Sequence, residues 1–465
     1  MKNPFKNPKY PVGRQAAIMI LTRYLYIFLT ISLLGKAWYQ GSGSYQIAFS
    51  WEKEVFASLA FLLELGVLLK RRVRDEFSKT VLHLLFTMYY MPLNAAFSLN
   101  DESYLFFALS NVYFLLLILL LSSRIRWVRR KKKAQPTVAD GGKGFFYNNV
   151  TRIVFFLLCI IYIVYKISYN GFSMSLSMVS DLVYGNRAAY QESLDAMSGS
   201  FASYALALLR NIVEYVAPVY LFISLQRKKA FPIAVSLLCI LSMYSVSSGK
   251  GMLFFVVILF FIFYCYKKGI LSNFEKIFDY CFLALLVLCL VEMLIFGKSV
   301  LYTYLIRREL YLPAWLNTLY FDYFSANPKI MWSQNTFLLQ NLLPDVYDRS
   351  PLEIINATYF AGSVPSPNTG MFAEAVMHFG VVGVFVYPFL LNVLIKKAGK
   401  VYTGCGEGLC MMMAAKLVLS LTNVPIVRTD FVLSFVMFTV ILWAARKLRI
   451  GQKMSAAVNA QPAKE

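Results

Sequence analysis

Histidine is almost missing from this chain: His83 and His378 are the only two in 465 residues. There is no Cys-x-x-Cys pair and no histidine cluster, so a structural zinc or similar cage lacks donors. Neither a metal nor a cofactor is expected. Of the seven cysteines, Cys159, Cys239, Cys265, Cys281 and Cys289 lie in or at the ends of apolar runs. Cys405 and Cys410 lie at a loop expected to face the cytoplasm, and no pair falls in an outward loop. That excludes a disulfide framework. Acidic residues are also few, 24 against 46 Lys plus Arg, and charged residues of both signs make up only 15% of the chain. No polar stretch is long enough to form a typical soluble domain.

Apolar residues are abundant, at 58% of the chain, with a mean hydropathy of +0.58. Apolar runs of about 20 residues recur, the length that crosses ~30 Å of hydrocarbon as a helix. A helix also satisfies its own backbone groups in lipid. The expected fold class is therefore all-α, a polytopic transmembrane bundle treated as a single domain over residues 1–465. The net charge of +22 would suit nucleic acid, but its placement argues against that partner. Basic runs stand at 2–14, 70–74, 124–133, 226–229, 267–268, 396–397 and 446–449, at every second turn of the chain. This is the positive-inside pattern; it gives about 12 spans with both termini cytoplasmic. The first apolar run follows a long basic start without a small-residue cleavage site, and reads as a retained helix rather than a signal peptide.

Two outward loops follow from this parity, at 170–200 and 298–370. Cations are depleted on the outward side, so Arg187, Lys250, Lys298, Arg307, Arg308, Arg349 and Arg428 need an explanation. Single outward cations are usually solvated. Arg307-Arg308 are adjacent, precede Glu309, and sit in a segment with Leu301, Leu305, Leu312, Leu316, Leu319, Trp315, Tyr320 and Tyr323. That pattern predicts a helix lying at the membrane interface, where guanidinium groups meet lipid phosphates. Arg210 falls well inside the sixth span; at ~1.5 Å per residue it sits ~14 Å deep. Glu214, at i+4, can pair with it, and Pro218 follows. The pair is either a functional intramembrane charge or a buried structural ion pair. In the tenth span, expected from Met371 onward, Glu374 and His378 share a helix face, with Asn368 and Gly370 just outside. They are either packing residues or an acid and base at the floor of an outward cavity.

The order of these features resembles the bacterial oligosaccharide repeat-unit polymerases, the O-antigen and capsule polymerases of the Wzy type. The residues that carry the resemblance are Asn368-Thr369-Gly370-x-x-Ala373-Glu374-Ala375-x-x-x-Phe379-Gly380-x-x-Gly383 and Arg428-Thr429-Asp430. The resemblance implies a metal-independent, multi-span glycosyltransferase similar to GT-C-type enzymes. It would join undecaprenyl-pyrophosphate-linked oligosaccharides at the outer face of the bacterial cytoplasmic membrane. On that reading Arg210, Glu309, His378 and Arg428 are candidate catalytic residues. Arg187, Lys250, Arg307, Arg308, Arg349, Asn368 and Glu374 are candidate substrate-binding residues. The implied partners are the lipid-linked donor and acceptor and the membrane lipids, with a chain-length regulator and a flippase as further candidates. A flippase for the same lipid-linked sugar, and the ligase that transfers finished glycan, remain as alternatives.

Overall fold

The computed structural model describes residues 12–34, 47–73, 75–123, 146, 148–170, 201–247, 250–334, 336–337, 339–360, 370–428, 431–444 and 447. Among them every regular element is helical and no strand occurs. Helices α1 (Val12–Leu34), α2 (Trp51–Lys70), α3 (Glu76–Leu85), α4 (Met91–Leu99) and α5 (Tyr104–Ser122) come first. They are followed by α6 (Asn149–Asn170), α7 (Phe201–Arg227), α8 (Ala230–Ser247), α9 (Lys250–Lys267) and α10 (Phe274–Phe296). Next come α11 (Leu312–Ala326), α12 (Pro351–Phe360), α13 (Met371–Phe379), α14 (Val381–Tyr402) and α15 (Glu407–Asn423). The last is α16 (Val432–Ala444).

Six helical stretches among the described residues are long and apolar enough to cross a membrane. They are Gly13–Leu34, Tyr104–Ser122, Asn149–Ser168, Leu208–Arg227, Leu271–Phe296 and Val381–Cys405. Shorter apolar helices run over Ala230–Met243, Phe254–Lys267 and Val432–Ala444. The chain is thus a multi-pass helical membrane protein by length and composition.

Three of the expected elements differ in detail. The third span is continuous, but Phe86–Tyr90 is a π-helical insert between α3 and α4. Pro92 follows directly on that insert, where the change of backbone pairing accommodates its missing N–H. The tenth span is two helices, because Gly380 takes φ +57 and ends α13 before α14 begins. The segment expected to lie along the interface is helical in two forms. Tyr302–Tyr311 is a ten-residue π-helix. It leads into α11, whose Ala314, Leu316, Asn317, Thr318, Tyr320, Phe321 and Phe324 are buried. Asn317 and Thr318 carry polar groups that a lipid-facing side could not satisfy, and they lie on the face of the helix that packs against protein.

The chain forms two units. The first comprises residues 1–125, 265–397 and 414–429; the second comprises 126–264, 398–413 and 430–465. In the first unit α1 packs along α10, α2 along α4, and α11 on α13. A polar knot ties α1, α2 and α4 together. Arg23, 1% exposed, forks onto both oxygens of Glu54 and donates to Asn94 Oδ1 at 3.0 and 3.2 Å. The Ser98 hydroxyl adds a bond of 2.7 Å to Glu54. A buried bidentate pair with every lone pair used offsets its desolvation.

In the second unit α6, α7 and α8 pack together. Tyr215 of α7 meets Phe435 and Phe438 of α16 at 5.9 and 5.8 Å between ring centres. The Tyr402 hydroxyl closes that end with a 2.8 Å bond to Thr439.

Candidate functional site

A second buried polar group of the first unit surrounds α13. The four leading N–H groups of a helix have no internal partner. Here two of them are met by side chains from elsewhere: Phe372 N–H donates to the Tyr89 hydroxyl at 2.9 Å, and Ala373 N–H donates to Asn317 Oδ1 at 2.9 Å. Tyr89 in turn donates to the same Asn317 oxygen at 2.8 Å. Gly370 precedes the helix because a Cβ there would fall 2.7 Å from the Tyr89 ring and 2.9 Å from the Thr422 carbonyl oxygen. A Cβ at Gly383 would overlap the Ala375 carbonyl outright. Both glycines are close-approach positions.

Glu374, one turn into α13, is fully buried. Its carboxylate accepts the backbone N–H groups of Ile426 at 2.6 Å and Val427 at 3.0 Å. The Tyr387 hydroxyl supplies a third hydrogen bond, and Tyr387 itself accepts from Trp332 Nε1 at 2.9 Å. Charge-assisted bonds of this kind are about twice as strong as neutral ones. The carboxylate therefore fixes the turn that ends in Arg428. A backbone bond from Phe337 N–H to Val427 O at 2.8 Å ties the loop 298–370 to the same turn. Arg428 is partly buried and lies near Tyr320 of α11; burial pushes the Tyr320 phenol up, and the Arg428 guanidinium opposes that shift.

His378 closes the other end of α13. Successive N–H groups of the loop meet the helix terminus: Ile330 binds Met377 O at 3.1 Å and Met331 binds His378 O at 3.2 Å. Trp332 N–H donates to His378 Nδ1 at 3.1 Å. Met331 and Trp332 both hold positive φ, +43 and +64, a conformation that costs bulky residues free energy and that these three bonds offset. With Nδ1 accepting, the imidazole carries its proton on Nε2, and that atom is buried with no partner among the described residues.

The remaining candidates are placed as follows. Arg307, Arg308 and Glu309 lie together in the π-helix Tyr302–Tyr311 of the first unit. Both arginines are partly exposed, and Arg307 Nε donates to Thr303 O at 3.3 Å. Glu309 is 8% exposed; burial raises its carboxyl and the Arg308 charge opposes this. Arg349 is exposed in the loop, where its carbonyl accepts from Gln334. Arg210 and Glu214 lie partly buried on α7 of the second unit, each engaged with other groups. Lys250 opens α9 of that unit. Arg187, Asn368 and the Thr429-Asp430 pair lie outside the described residues.

The first unit thus brings Glu374, His378 and Arg428 into one group and holds Arg307, Arg308 and Glu309 as a second. Sequence reasoning missed Tyr89, Asn317, Trp332 and Tyr387, which no motif marks. It also missed Glu102, next to α5. Burial, then the charge of Asp322, push that carboxyl up to about 8, and a Thr318 hydrogen bond opposes them. Among the described residues no group of three or more His, Cys, Asp or Glu could hold a metal ion. Comparison with protein-family models, with curated proteins and with solved structures finds no match.

Proposed function

We propose that this chain is a metal-independent glycosyltransferase that polymerises oligosaccharide repeat units carried on undecaprenyl pyrophosphate. It would work at the outer face of a bacterial cytoplasmic membrane, within a bundle of about twelve spans with both termini inside. One observation carries the reading. Of the two segments that resemble the polymerases, 368–383 and 428–430, the first supplies the Glu374 carboxylate, which holds the Ile426 and Val427 amides directly before Arg428 of the second. A long loop, a glutamate-bearing helix and an arginine turn then make one outward assembly.

Contacts in the first unit support the sidedness. Segments expected outside meet each other: Ala48 N–H binds Leu99 O at 3.0 Å, Tyr311 donates to Asn100 at 3.0 Å, and Lys53 pairs with Asp101 at 2.7 Å. Segments expected inside do the same, with Lys79 on Glu275 at 3.2 Å and Lys396 on Leu120 O at 2.7 Å. The arginine pair occupies a π-helix, a rare element that recurs at functional sites.

In the proposed reaction a hydroxyl of the incoming lipid-linked unit attacks the anomeric carbon of the growing chain. The bond from that carbon to the pyrophosphate oxygen breaks, and the hydroxyl proton passes to a carboxylate. The leaving group gains the charge, so arginines that meet it more strongly in the transition state lower the barrier. Arg307 and Arg308 are assigned that role, and Glu309 beside them is the carboxylate of suitable chemistry. Glu374, His378 and Trp332 are assigned to holding the Arg428 turn and the loop.

The glycan ladder of a deletion strain tests the reading. A polymerase leaves single repeat units on the cell surface. A strain with no surface repeats makes the chain a flippase, and long chains stranded on carrier lipid make it a ligase.

A further inference from the structure

The first unit holds a further polar region, apart from that around α13. The helical run 76–99 carries Lys79 and His83 at this region and Tyr89 at the start of α13, so ~9–15 Å of helix at ~1.5 Å per residue separates the two. There a cleft of about 600 Å3 opens between the end of α2, the start of α3 and the start of α10. Four cationic side chains line it, Arg71, Arg72, Lys79 and Lys276, against one carboxylate, Glu275. That carboxylate is already engaged: it takes the Lys79 ammonium at 3.2 Å and the Thr80 hydroxyl at 2.9 Å. Deeper, His83 Nε2 pairs with Asp279 at 2.8 Å, and Gln15 Nε2 donates to the other Asp279 oxygen at 3.0 Å. Both carboxylates thus have partners inside the cleft, and Arg71 and Arg72 stand exposed at its rim.

The cleft volume lies in the range of small-ligand sites, ~300–1,000 Å3. Two adjacent guanidinium groups favour the tetrahedral oxygens of a phosphate over a single carboxylate. A narrow slot of about 20 Å3 between α1 and α10, lined by Arg14, Ile18, Asp279 and Tyr280, adjoins the cleft and shares Gln15, Asn273 and Lys276 with it.

We propose that this cleft binds a phosphate group, carried by the head of an anionic phospholipid or by a small soluble phosphoester. The site is independent of the proposed polymerising chemistry. Its rim would hold the phosphate through Arg71 and Arg72, with Lys276 beside them.

The test is the thermal unfolding of the purified full-length chain in neutral detergent. It is titrated separately with phosphatidylglycerol, phosphatidylcholine and glycerol 3-phosphate. A saturable rise in Tm with phosphatidylglycerol but not phosphatidylcholine is expected. Arg71→Gln/Arg72→Gln should weaken its apparent affinity about tenfold or more, the effect of losing charged hydrogen bonds. Both arginines are exposed just beyond α2, so this variant folds; Lys276→Gln gives a second, independent reading. Lys228→Gln/Lys229→Gln, exposed cations of another loop, should leave the affinity unchanged. A matching response to glycerol 3-phosphate assigns the site to a soluble phosphoester; its absence assigns the site to lipid. Equal responses to both phospholipids with none to glycerol 3-phosphate would overturn the proposal. So would equal loss in the two double variants.

Discussion

Glu374 grips the backbone N–H of Ile426 at 2.6 Å, and the turn so held carries Arg428. A neutral amide at this position can accept one of the two N–H bonds and presents a donor to the other. Glu374→Gln should therefore cost about 1.5–3 kcal/mol, the worth of a hydrogen bond to a charged group. We expect a lower unfolding temperature and a large fall in polymer made. Arg428→Gln, by contrast, should reduce polymer with little change in unfolding temperature. Equal stability of Glu374→Gln and wild type would remove the clamp from the account.

The Arg23–Glu54 pair gives a second prediction. Removing one partner leaves the other buried and unpaired, which typically costs ~3–5 kcal/mol. Arg23→Met and Glu54→Leu should each unfold well below wild type, and the double variant should recover most of the loss. Chemical denaturation of the three proteins in the same detergent measures this. Additive losses in the double variant would contradict it.

The raised carboxyl of Glu102 predicts a pH-dependent stability. In the folded chain its carboxyl holds a proton up to about pH 8, against 4.5 when unfolded. Between those values the folded state binds more protons, so this group's contribution falls as pH rises through the window. Glu102→Gln should flatten the decline in unfolding temperature between about pH 5 and 8. An unchanged slope would show that Glu102 does not titrate there.

Sidedness can be read directly. In a background with all seven cysteines replaced by serine, a cysteine at Asn341 should react with an impermeant thiol reagent in intact spheroplasts. Cysteines at Lys132 and Lys397 should react only after lysis. Labelling of position 132 in intact spheroplasts would reverse the orientation.

Much of the architecture could be read from the sequence, because apolar run length and basic-loop alternation are strong, local signals. The helical class and the long apolar helices followed from them. The breaks did not. Gly380 ends a helix inside a run that stays apolar on both sides, and the π-inserts at Phe86–Tyr90 and Tyr302–Tyr311 have no compositional mark. Leu301, Leu305, Leu312, Leu316 and Leu319 gave a helical segment, of which only Leu316 is buried. Glu374 and His378 were visible as unusual residues in an apolar run. Their partners were not: Ile426, Val427 and Trp332 contribute backbone groups, which every residue type carries. Glu54 escaped notice because it lies at the start of its apolar run, where a charge looks solvated; Arg23, midway along α1, was a legible intramembrane charge that the sequence reasoning passed over.

The central claim rests on Arg307 and Arg308 meeting the departing pyrophosphate. The most direct measurement follows chain growth from lipid-linked repeat units by the purified protein in neutral detergent, where no anionic lipid remains. Wild type should build a ladder of products. Arg307→Gln/Arg308→Gln should bind substrate nearly as well but turn over roughly 10²–10³ more slowly, from ~2.7–4 kcal/mol of lost transition-state stabilisation. Lipid anchoring alone, at ~1 kcal/mol per arginine, would have no effect in that detergent. Full polymerising activity of the double variant would contradict the claim.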